Sequence, residues 1–97
     1  MYRQGDVLIT PCAIPSGLRH KEGRCILAEG EATGHAHVAI GDGVEMYEDD
    51  KGVLWLSAPH GGEIVHEEHG KIDLAPGSYR ITHQREYSPE EIRRVAD

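Results

Sequence analysis

Glycine and proline cut this chain into short pieces, and that punctuation constrains the fold more than any other feature. Twelve Gly and five Pro are spread over 97 residues, leaving few stretches long enough for a helix of ordinary length. The runs between them are apolar and carry many Val and Ile, β-branched residues that favour extended backbone. Strands are expected over 5–10, 24–29, 35–40, 44–48, 52–58, 63–67, 71–74 and 79–87. Asp49-Asp50-Lys51-Gly52 is the tip of a β-hairpin, with Gly available for positive φ. Ala75-Pro76-Gly77-Ser78 has the Pro-Gly order of a type II turn. Within the last run Tyr79, Ile81, His83, Arg85 and Tyr87 share one face. Ser88-Pro89-Glu90-Glu91 then reads as a capping box that opens a short helix over about 89–96.

Short strands every ~8 to 12 residues predict an all-β fold, a small barrel or sandwich of about seven or eight strands with a short C-terminal helix. The whole of 1–97 is expected to be one domain, because a chain this short cannot support two cores. At 38% hydrophobic residues, with no Phe, one Trp and four Tyr, the core has to be built from Val, Ile, Leu and Ala. Cys12 and Cys25 lack CxxC spacing and lie in apolar surroundings, so both are expected as buried free thiols. A net charge of −7 opposes phosphate contacts and disfavours nucleic acid as a partner. No run approaches the ~18 apolar residues of a membrane-spanning helix, and a cytoplasmic protein without membrane contact is expected.

Seven histidines are present: His20, His35, His37, His60, His66, His69 and His83. His35 and His37 stand two apart, so on a strand they project from one face about 6 to 7 Å apart, within reach of a single ion. Val38 and Ile40 fall on the opposite, plainly apolar face, so the histidine face and the apolar face cannot both be the same core. His66-Glu67-Glu68-His69 needs other geometry, since residues three apart share a side only where the chain bends. A bend at Glu67-Glu68, before Gly70, would bring His66 and His69 to the HxH pair. His83, central in the last strand, is a further ligand or orienting partner, whereas His20 and His60 sit in polar loop contexts. Glu67 and Glu68 are the candidate catalytic bases. Imidazole ligands without thiolate favour Zn²⁺, Ni²⁺ or Fe²⁺ over Ca²⁺ or Mg²⁺.

The order HxH, then Ala75-Pro76-Gly77, then a strand bearing His83 resembles a reduced cupin. That resemblance implies a double-stranded β-barrel holding a metal through His35, His37 and His83. The cupin Glu, expected four or five residues after the second His, is replaced here by Gly41 and Asp42. Arg3-Gln4-Gly5-Asp6-Val7-Leu8, Gly34-His35-Ala36-His37 and Gln84-Arg85-Glu86-Tyr87 are similar to segments of small uncharacterised bacterial and mobile-element proteins.

Two functions are therefore expected to compete. One is a metal-binding β-barrel-like protein, with metal-assisted chemistry where a coordination position stays open. The other is a non-enzymatic module that forms homo-oligomers or docks on a protein partner through strand edges.

Overall fold

The computed structural model describes residues 1–29 and 36–83. In chain order their strands are β1 (Tyr2–Gln4), β2 (Val7–Pro11), β3 (Arg19–Lys21), β4 (Cys25–Glu29), β5 (Ala36–Ile40), β6 (Glu45–Glu48), β7 (Leu54–Ala58), β8 (Gly62–Val65), β9 (Ile72–Leu74) and β10 (Gly77–His83). The fold is all-β, with no helix among the described residues. Accordingly, no helix there is long and apolar enough to cross a membrane. The helix expected over 89–96, and His35, lie outside the described residues.

Of barrel and sandwich, the sandwich forms. One sheet runs β1-β2-β10-β7-β6-β3 and the other β4-β5-β8-β9, every pair antiparallel, and the sheets share no strand. Alternating residues of both sheets turn inward: Val7 and Ile9, Leu27, Met46, Leu56, Ile64 and Ile81 are all essentially buried. These are small aliphatic side chains with one Met, and two thin sheets can interdigitate them without large aromatic wedges.

The β6–β7 hairpin forms where the turn residues predict it. Asp49 Oδ1 accepts from the backbone N–H groups of Lys51 and Val53, and Gly52 takes φ +85°. Those two amides hold the Asp49 carboxyl below its usual range.

Two strands were not expected, for related reasons. β1 has Gln4 as its one fully buried residue, with Tyr2 only partly buried against the core, and β3 is an outer strand of three exposed residues, Arg19, His20 and Lys21. Charge on an edge discourages pairing with other chains and hides the strand from any hydrophobic pattern. Arg19 and Lys21 both reach Glu48 of β6, and His20 packs edge-on against Tyr47.

Two local expectations are corrected. Gly77 opens β10 opposite Ala58 with φ +151°, far from the third position of a type II turn. Of the two free thiols only Cys25 is buried, because Cys12 lies just past the end of β2, where its backbone bonds to Ser78 outside the core.

Leu56, fully buried at the centre of the larger sheet, reports on this core. Leu56→Ala should cost about 2–5 kcal/mol, read as a lowered urea midpoint at unchanged slope. A loss below 1 kcal/mol would mean the sheets do not meet there.

Candidate metal centre

The site is a continuation of the core row. On β5 and β8, Ala39 faces Ile64 and Val38 faces Val65. One step further along the same antiparallel register sets His37 opposite His66, on the side of the sheet that carries Ala39 and Ile64. The histidine face is thus the inward face. Val38 and Ile40 take the other side of the strand, where Val38 is still covered at 6% exposed but Ile40 is 46% exposed, the reverse of what its apolarity predicts. Core packing decides this orientation, because Ala39 belongs to the interior cluster and Val38 does not.

Residues 67–69 then bend, as HxxH requires, and His69 folds back towards His37. His66 Nδ1 accepts from the backbone N–H groups of Glu68 (3.0 Å) and His69 (3.2 Å), which holds the bend. Ring centroids lie 4.3 Å apart for His37 and His66, 4.6 Å for His66 and His69, and 5.6 Å for His37 and His69. One nitrogen from each of the three lies within 4.8 Å of the others. Three imidazole nitrogens around one tetrahedral ion stand about 3.3 Å apart, so the rings would have to draw together to hold one. His37 is buried, His66 half-buried and His69 exposed, so the group opens to solvent on one side.

Glycine makes room for this cluster. Gly5 and Asp6 form the two-residue turn between β1 and β2, with Gly5 at φ +62°, as a II′ hairpin wants at its first position. A Cβ on Gly5 would lie 3.0 Å from His69 Nε2 and 3.3 Å from His37 Cε1. The larger sheet also supplies Gln4, which is 3% exposed. Its carboxamide meets His37 Nδ1 at 2.8 Å, Ile64 O at 3.1 Å and Gly70 O at 2.7 Å.

The other expected residues take different places. His83 shares the strand face of Tyr79 and Ile81 but is exposed at the end of β10; its Nε2 meets Leu27 O at 3.1 Å and it is not in the three-histidine group. Glu67 and Glu68 are exposed on the bend. Glu67 Oε1 accepts the Ala36 N–H at 3.0 Å, tying the start of β5 to the loop that bears His66 and His69. His20 lies between Glu22 and Glu45, away from the cluster. Gln4, Gly5 and Asp6 were not singled out for the site. A Gly-Asp pair between two extended runs was the available signal for the turn, whereas nothing local marks Gln4.

Residues 3–84 match the model of a family described as a domain of unknown function, DUF8820. The chain belongs to that family. The DUF8820 match spans Gln4, the Gly5-Asp6 turn, His37, His66, His69 and His83. No curated protein and no solved structure matches the chain.

Burial, and then the neighbouring imidazoles of His66 and His69, push the His37 ring below its ordinary pKa of 6.5, against a smaller opposing pull from the Asp6 carboxylate. The ring is therefore neutral at pH 7, the state in which a nitrogen lone pair is available. A depressed value in the fold means that, between the two pKa values, the unfolded chain binds more protons. The contribution of His37 to stability is thus complete above about pH 6.5 and is lost as pH falls through the folded value. Urea midpoints measured in chelator should fall between pH 7.5 and pH 5, and His37→Gln should flatten that decline. An equally steep decline in the variant would place the titrating group elsewhere.

Proposed function

We propose that this DUF8820 domain binds a divalent transition metal through His37, His66 and His69. The observation that carries the reading is the convergence of three imidazoles, with ligating nitrogens mutually within 4.8 Å, at an open rim of the sandwich. Zinc is the first candidate, with nickel and iron(II) as alternatives, because the donors are all imidazole. Neutral ligands leave the ion's double charge undiminished, so a bound ion would act as a strong Lewis acid towards a water or substrate oxygen in the remaining position.

Three protein ligands with a fourth place open is the pattern of catalytic rather than structural sites. The chemistry this favours is metal-assisted hydrolysis. Asp6, next to Gly5 in the turn that borders His37 and His69, and Glu68 on the ligand-bearing bend are the groups we assign to proton transfer. Glu67 is assigned to holding the bend through Ala36 N–H.

Ligation also makes a demand on His66. With Nδ1 accepting two backbone N–H bonds, its neutral ring carries a proton on Nε2. To ligate as a neutral imidazole, His66 must give up those bonds. Zinc binding should accordingly move the amide resonances of Glu68 and His69.

Elemental analysis and zinc titration of the chelator-treated protein test the reading. One zinc per chain is expected, with a rise in melting temperature of roughly 15 °C or more at free zinc ~1,000-fold above Kd. His37→Ala and His69→Ala should abolish both effects, and His83→Ala should retain them. A wild-type protein that takes up no zinc, nickel or iron(II), and whose melting temperature none of them shifts, would overturn it.

A further inference from the structure

Gln4 and His37 are the two buried polar side chains among the described residues, and they are hydrogen-bonded to each other. A carboxamide can be placed either way round, but here its partners settle the matter. Gln4 Nε2 faces the backbone carbonyl oxygens of Ile64 and Gly70, at 3.1 and 2.7 Å, and a carbonyl oxygen only accepts. Turning the group over would set Oε1 against both of those oxygens in a buried position, with nothing to compensate the repulsion. Oε1 is therefore the atom 2.8 Å from His37 Nδ1. A carboxamide oxygen only accepts as well, so the hydrogen of that bond belongs to Nδ1.

We propose that Gln4 is the positioning residue of the histidine centre: it holds the neutral His37 ring as the Nδ1–H tautomer and so presents Nε2, with its lone pair, to the ion. The proposal rests on the metal-binding reading above and specifies how one ligand is made ready. Metal-ligating imidazoles commonly donate their other N–H to an oxygen acceptor, which fixes tautomer and ring orientation. Gln4 does more than that here. Gly70, whose carbonyl it binds, directly follows His69, so one side chain indexes the ligand on β5 against the bend that carries the other two. It reaches them from β1, a strand of the opposite sheet. The ligand geometry is consequently tied to closure of the sandwich.

A purely structural staple would need the two carbonyl bonds and would be indifferent to the His37 proton, and that difference supplies the test. Long-range ¹H–¹⁵N correlation spectra of the metal-free, full-length protein at pH 8 report which ring nitrogen carries the proton, with His37 assigned by its disappearance in His37→Gln. Protonation at Nδ1 is expected; protonation at Nε2 in the wild type overturns the proposal.

Gln4→Glu keeps an acceptor for His37 and loses both donors. It should melt at lower temperature yet retain the Nδ1–H tautomer. Gln4→Met keeps the length of the side chain and removes every bond. In the folded variant zinc affinity should drop about 10- to 100-fold, and an unchanged affinity counts against the proposal. A wild type that binds no zinc but shows Nδ1–H removes the metal reading and leaves the positioning of His37 by Gln4 intact. Zinc binding by a wild-type ring protonated at Nε2 removes the Gln4 assignment alone.

Discussion

At one rim of the sandwich, hydrogen bonds rather than hydrophobic contacts join the two sheets. Gln4 sends its carboxamide from the larger sheet to Ile64 O, Gly70 O and His37 of the smaller one, while His83 of the larger sheet reaches Leu27 O. Gln4 and His37, the buried members, would each cost about 1–3 kcal/mol if left without a partner. They therefore act in concert: displacing one sheet relative to the other breaks several bonds at once. An aliphatic core is tolerant of small slides, and a directional polar cluster is not. The alignment that places β1 over the His37 end of β5 is held by that cluster together with the packing of Val, Ile and Leu.

The histidines inherit their geometry from this arrangement. His37 and His66 meet because the Ala39–Ile64 register continues one step past the core, to where the interior opens to solvent. His69 joins them because His66 Nδ1 captures the amides of the bend and Glu67 anchors that bend to Ala36. The result is a graded group, buried at His37 and exposed at His69. Burial and mutual repulsion keep His37 uncharged near neutrality, which lowers proton competition for its lone pair. The acidic balance of the chain, −7 overall, favours the approach of cations to such a rim.

Much of the fold was legible from local pattern. The β6–β7 hairpin followed from Asp49 and Gly52, and the inward face of β10 followed from the alternation of Tyr79, Ile81 and His83. The requirement for a bend between His66 and His69 was likewise readable, because two residues three apart cannot share a face of a flat strand. β1 and β3 were not legible. One buries a glutamine and the other buries nothing, so neither carries the apolar alternation by which strands are recognised.

The sequence by itself determined the class of the fold, the positions of most strands and turns, and the presence of two histidine motifs that a metal could use. These are properties of residue type and spacing, which act over a few residues. Tertiary structure decided which face of β5 turns inward, that His66 and His69 converge on His37, and that His83 bonds to a backbone carbonyl outside that group. It also decided that Gln4, more than 30 residues from His37 in the chain, controls that ring. Such pairings depend on strand order and register between sheets, and a period of two along one strand carries no information about which strand lies across from it.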